Sequence, residues 1–190
     1  MVFVDSKYVV RTERLLLRPL KLEDAEDVLL MRKDPEVMKH TPLLPSDDLQ
    51  KTIEWIQGCF DRENNWNFAI ELLASTASPR VIGLIGAVRT PEVGYMFNAS
   101  YWGKGYATEA LRAFIPLFFE HFSGGEDDLY NYAEAHTDTE LVSSQNVLLK
   151  AGFKLHERRE KDFENPVLGT RDTLVYRIER SDIVGTPCPM

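Results

Sequence analysis

Apolar residues change their spacing several times along the chain, and each change predicts an element. RLLLRPL (14–20) reads as a first strand, ended by Pro19 and a polar turn. In LEDAEDVLLMRK (22–33), Leu22, Ala25, Val28, Leu29 and Met31 recur at near-helical spacing, with acidic residues at the start and basic ones at the end. PLLP (42–45) breaks the chain. Ser46 is the expected N-cap of a second helix, whose apolar stripe is Leu49, Ile53, Trp55, Ile56 and Phe60. Three strand-like runs follow: NWNFAIELLA (65–74), RVIGLIGAVR (80–89) and EVGYMFN (92–98). Only ASTASP and TP separate them, which predicts an antiparallel meander.

A longer helix is expected from Tyr106 to about Phe122, with Ala107, Ala110, Leu111, Phe114 and Phe118 on one face and a kink at Pro116. SGGEDD (123–128) reads as a loop, YNYAEAH (130–136) as a strand, and 139–151 as a helix stopped by Gly152. GFKLHERRE and TLVYRIE supply two last strands. The order β-α-α-β-β-β-α-β-α-β-β predicts a mixed α/β domain over 11–180, one sheet with helices on its faces. Residues 1–10 are expected as an N-terminal extension and 181–190 as a loose tail.

Composition narrows the function classes. A chain of 190 residues suits one domain with a full core, and 44% hydrophobic with 27% charged residues excludes a disordered or fibrous protein. A net charge of −8 argues against nucleic acid as a partner, because phosphates call for a basic face. Cys59 and Cys188 form no CxxC pair, which suggests a reducing compartment. His40, His121, His136 and His156 show no metal-ligand spacing, so no metal is expected. The N-terminus lacks the pattern of a signal peptide, and no apolar run approaches the roughly 20 residues that span a bilayer. The expected setting is cytoplasmic, with no membrane partner.

Candidate chemistry concentrates in YWGKGYATEAL (101–111), where Gly103 and Gly105 flank Lys104 just before the long helix. Free N–H groups at a helix start bind anions, and glycines let phosphate oxygens approach them. Thr108 adds a hydroxyl and Lys104 a charge. The same glycines also serve simply as turn residues. Two other phosphate motifs fit worse. A dinucleotide fingerprint needs a third glycine where Thr108 stands, and in a P-loop the lysine follows the other glycine.

These segments resemble the GCN5-related N-acetyltransferase (GNAT) superfamily, in particular the RimJ/RimL-like subgroup that acetylates ribosomal-protein N-termini. The likeness rests on TERLLLRPLKLEDAEDV, VIGLIGAV, EVGYMFNASYWGKGYATEAL, SSQNVLLKAGFK and RDTLVYRIER, and so covers about 11–180. It implies a three-layer αβα fold with a mostly antiparallel, seven-stranded mixed sheet that splays between strands 4 and 5. It also implies acetyl-CoA as co-substrate, with its pantetheine arm along Tyr95, Met96, Phe97 and Asn98. A backbone N–H of Met96 or Phe97 would hold the thioester carbonyl and its oxyanion. The pyrophosphate would lie among Gly103, Lys104, Gly105, Tyr106, Ala107 and Thr108. Trp102 would cover the cofactor or brace the loop, and Lys150 belongs to the same cofactor-side pattern.

The resemblance also assigns proton handling, which acetyl transfer to a neutral amine requires. The pattern around NVLLKAGF places the family's thiolate-side serine at Ser144; a solvent-facing helix serine is the alternative. The tyrosine donor common in other acetyltransferases is missing, since positions 149 and 151 are Leu and Ala. Glu92 is one candidate base and His136 a second, with Glu134 and Asp138 beside it; a strand-end carboxylate and a loop histidine are the plainer readings. His40 and Thr41 fall where relatives contact the acceptor. One departure stands out: the family's asparagine three residues before the serine is Leu141. The resemblance thus implies acetyl transfer to a primary amine, a small molecule or a protein N-terminus, by a monomer or homodimer. The alternative is a catalytically weak or inactive acetyl-CoA-binding sensor or scaffold, which Leu141 would favour.

Overall fold

The computed structural model describes residues 8–62, 65–75, 78–122 and 130–184. The expected loop 123–128, Cys188 and most of the expected N-terminal extension and tail lie outside the described residues.

One eight-stranded sheet organises the chain. Its strands are β1 (Val10–Arg11), β2 (Leu15–Pro19), β3 (Trp66–Leu72), β4 (Val81–Arg89), β5 (Glu92–Phe97), β6 (Tyr132–Asp138), β7 (Lys154–Asn165) and β8 (Gly169–Glu179). Their order is β1-β2-β3-β4-β5-β6-β8-β7. Every neighbouring pair is antiparallel except β5 and β6, which run parallel. The helices are α1 (Ala25–Arg32), α2 (Pro35–Met38), α3 (Leu49–Phe60), α4 (Tyr106–His121), α5 (Val142–Lys150) and α6 (Arg180–Val184).

Two apolar clusters make this a three-layer structure. Leu15, Leu17, Phe68, Ile70 and Ile85 meet Leu111, Phe114 and Phe118 of α4. On the opposite face, Leu20, Ala69, Val81 and Leu84 meet Val28 and Met31 of α1 and Ile56 of α3. β4 is buried on both faces from Val81 to Ala87, which is why VIGLIGA reads as a continuous apolar run instead of an alternation. Cys59 is a free thiol buried on α3, and burial pushes its pKa up.

Several expectations change. The sheet has eight strands, not seven, because Val10 and Arg11 pair with Leu17 and Leu16 in a strand too short to show a period. The N-cap of α3 is Asp48, not Ser46: Asp48 Oδ1 accepts from Lys51 N–H at 3.1 Å, while Ser46 N–H donates to Arg32 O at 2.9 Å. α2 was not anticipated, although Asp34 caps it by accepting from Glu36 N–H at 2.9 Å and Pro35 supplies its first turn. β6 continues to Asp138, so His136 lies within the strand instead of at its mouth. β7 runs past 160 to Asn165, β8 begins at Gly169 instead of 173, and α6 occupies the first residues of the expected tail. β7 is an edge strand exposed at nearly every position, so no alternation announced its length.

Candidate active site

The parallel pair is where the sheet opens. β5 and β6 register at Glu92 and Glu134, with Glu134 N–H donating to Pro91 O at 3.0 Å. Beyond that point a cavity of about 540 Å³ is bounded by β5, β6, the loop before α4, the start of α5 and residues 36–41.

The ladder decides which β5 groups face this opening. Asn98 N–H donates to Ile82 O at 3.0 Å, on the β4 side. Alternation then directs the main-chain groups of Met96 toward β4, and those of Tyr95 and Phe97 toward the gap. Phe97 O is taken there by the Trp102 indole N–H at 2.8 Å. Asn98 does not line the cavity; its side chain accepts from Ser100 N–H at 3.0 Å and caps a 3-10 turn over Ala99–Tyr101.

At one end of the opening stands the glycine loop. Gly103 and Gly105 have φ of +71° and +80°, a conformation that disfavours any side chain. The first main-chain bond into α4 runs from Glu109 N–H to Gly105 O at 3.1 Å, so the N–H groups of Tyr106, Ala107 and Thr108 precede the helical ladder. Trp102, Gly103, Gly105, Tyr106, Ala107, Thr108 and, from α5, Lys150 line the cavity. Lys104 does not, because its ammonium donates to Ser100 O at 2.9 Å and lies over the Tyr101 ring. Main-chain donors ahead of the helical ladder and the helix dipole give this end the polarity that attracts an anion.

Midway, two hydroxyls meet. Tyr95 Oη and Ser144 Oγ are 2.8 Å apart, and Tyr95 Oη also donates to Ser144 O at 3.2 Å. Burial pushes the Tyr95 phenol up to about 12, against the opposing pull of Ser144, so it keeps its proton at neutral pH. Leu141 stands at the N-cap of α5 without a side-chain cap bond; the Gln145 amide braces the turn instead, donating to Thr139 O at 2.9 Å.

The far end holds two histidines among carboxylates. His136 Nε2 is 3.0 Å from Glu134 Oε1, and its Nδ1 is 3.6 Å from Glu92 Oε1. Glu92 itself stands behind the cavity wall, where Arg89 lies 2.6 Å from its other oxygen. Burial pushes the Glu134 carboxyl up, but bonds from His136 and Arg177 outweigh it and hold the pKa below the ordinary range. His40 Nδ1 lies 3.3 Å from Asp138, which also accepts two bonds from Arg171, at 2.9 and 3.0 Å. Burial opposes these bonds at Asp138, yet they lower its pKa to about 2. His40 and Thr41 both line the cavity, and Asn165 Nδ2 fixes their loop by donating to Lys39 O and Thr41 O.

The sequence profile of the acetyltransferase (GNAT) domain family matches residues 14–154. The chain belongs to the GNAT acetyltransferase family. Its splayed sheet between two helical layers is the GNAT fold. The chain is similar to the uncharacterized N-acetyltransferase p20 of Bacillus licheniformis, at 26% identity over 92% of this chain and 97% of that protein. In structure it resembles a GNAT-family acetyltransferase from Bacillus anthracis, with TM-score 0.75 and 24% identity over 91% of this chain and 99% of the other. It also resembles spermidine N-acetyltransferase from Vibrio cholerae, solved with CoA and spermine, with TM-score 0.76 and 16% identity over 92% and 100% of the two chains. At these identities the structural likeness is one of fold.

Of the residues singled out by sequence in this GNAT domain, the fold gathers Ser144, His136, Phe97, Met96 and the glycine loop around one opening, and leaves Asn98, Lys104 and Glu92 outside its lining. Sequence reasoning placed Tyr95 only as strand backbone and missed its hydroxyl. Its partner is 49 positions away, and no local spacing connects strand VGYMF to helix VSSQN. Among the described residues, no group of three or more His, Cys, Asp or Glu could hold a metal, and no helix is long and apolar enough to cross a membrane.

Proposed function

We propose that this GNAT-family N-acetyltransferase moves acetyl from acetyl-CoA to a primary amine by direct attack in a ternary complex. The observation that carries the reading is one opening that has main-chain donors at one end, the Tyr95–Ser144 pair in the middle and His136 at the other end. The diphosphate lies against the N–H groups from Gly103 to Thr108, and the pantetheine arm runs along the free edge of β5. The thioester carbonyl accepts from Phe97 N–H, which stabilises the oxyanion as the amine nitrogen attacks.

The C–N bond forms first, giving the tetrahedral oxyanion, and its collapse restores the carbonyl and breaks the C–S bond. His136, flanked by Glu92 and Glu134, takes the proton from the attacking nitrogen directly or through one water. Tyr95 gives its proton to the departing sulfur and regains one through Ser144. No covalent enzyme intermediate is needed, and buried Cys59 on α3 does not line the cavity. The acceptor enters beside His40 and Thr41. The TERLLLRPL and SSQNVLLKAGF segments support the RimJ/RimL-like subgroup, whose acceptors include protein N-termini and small amines.

Release of free thiol from acetyl-CoA across an amine panel, measured alongside acetyl-CoA binding, tests this reading. Amine-dependent thiol release is expected. Binding without release for any amine would favour the sensor module for which Leu141 argues.

A further inference from the structure

Thr12 and Arg14, just ahead of β2, close on Glu109 in the first turns of α4. Thr12 Oγ1 donates to Glu109 Oε1 at 2.6 Å, and Arg14 N–H donates to the same oxygen at 2.9 Å. Arg14 Nε donates to Glu109 Oε2 at 2.7 Å, and Nη2 lies 2.6 Å from it. The same guanidinium reaches into the glycine loop. Nη1 donates to Lys104 O at 3.0 Å, and its carbon stands 4.7 Å from the centre of the Tyr106 ring. A Cβ on Gly105 would lie 3.4 Å from Nη2. What packs against the side-chain direction of Gly105 is therefore this arginine.

We infer that Arg14 is a positioning residue for the donor's diphosphate, an inference that rests on the acetyl-CoA reading above. Lys104 C=O and Gly105 N–H belong to one planar trans peptide and so point in opposite directions. By holding the carbonyl, Arg14 turns the Gly105 N–H away from itself and into the anion niche. Gly105, at positive φ and without a Cβ, offers little resistance to rotation of that peptide on its side, so an external hold fixes its direction. Arg14 also neutralises Glu109, a carboxylate in the first turn of a helix whose N-terminus must accept an anion. Burial raises the Glu109 pKa, but the bonds from Thr12 and Arg14 outweigh it, so this charge is present and needs its partner. The TER of TERLLLRPL and the Glu of YATEAL are thus two halves of one clasp.

The test compares acetyl-CoA with S-acetyl-pantetheine, which keeps the thioester and lacks the diphosphate. Arg14→Ala is expected to raise KM for acetyl-CoA about tenfold, the worth of a charge-assisted hydrogen bond, with kcat within about threefold. Its kcat/KM for S-acetyl-pantetheine should match the unmutated enzyme, and Arg14→Lys should recover part of the loss. Thermal unfolding of each variant is followed in parallel, and Arg14→Lys carries the same comparison should the alanine variant not fold. An unchanged acetyl-CoA KM, or an equal loss with both donors, would overturn the role of Arg14. An unmutated enzyme that uses both donors equally well would overturn the diphosphate site itself.

Discussion

The Tyr95 hydroxyl lies 2.8 Å from Ser144 Oγ, joining the free edge of β5 to the first turn of α5 across the mouth of the splay. Strand and helix each contribute one hydroxyl, and the buried phenol is held protonated, with a pKa of about 12. A neutral acid beside a departing thiolate lowers the barrier of the step that breaks the C–S bond.

Tyr95→Phe is therefore expected to lower kcat by about 100-fold, the scale of one general acid, with acetyl-CoA affinity changed little. Ser144→Ala, which leaves the phenol in place, should cost less. Steady-state kinetics with titration of acetyl-CoA into each variant checks both. Equal turnover in all three proteins would remove the pair from the mechanism.

At the acceptor end, His136→Asn should lower kcat/KM for the amine by at least about tenfold while leaving acetyl-CoA binding intact. Glu92→Gln should have a smaller effect, since Glu92 reaches the cavity only through the His136 ring, at 3.6 Å. A larger loss in Glu92→Gln than in His136→Asn, read from acceptor saturation curves, would reverse the two roles.

Asp138 makes a prediction about stability. Its folded pKa is depressed from 3.8 to about 2, so its contribution is fully present above the ordinary value and is lost as pH falls through that interval. The shift corresponds to about 2 kcal/mol. Asp138→Asn should lose about that much at pH 7, and its stability should fall less steeply than the parent's between about pH 4 and pH 2. Denaturant melts across that range measure both slopes; parallel curves would contradict the Arg171–Asp138–His40 arrangement as a source of stability.

How far the sequence discloses this molecule depends on the range of each interaction. The central strands were legible because VIGLIGA is buried on both faces, and α4 because Leu111, Phe114 and Phe118 fall on one stripe. The glycine loop was legible because positive φ demands glycine at 103 and 105. β7 was legible only in part, since an exposed edge strand carries no period. The contacts that turn these elements into a site are long-range: Tyr95 to Ser144, Glu92 to His136, Arg14 to Glu109. Spacing within a segment says nothing of a partner on another element. The misplaced helix start at Ser46 is a local error, because Asp48 offered an equally good capping side chain two residues on.

The position of acetyl-CoA decides which groups act on the thioester, and a crystal structure of the complex measures it directly. Diphosphate oxygens within hydrogen-bond reach of the N–H groups between Gly103 and Thr108, and a thioester carbonyl on Phe97 N–H, are the expected result. Acetyl-CoA density elsewhere, with the gap between β5 and β6 closed by side chains, would contradict it.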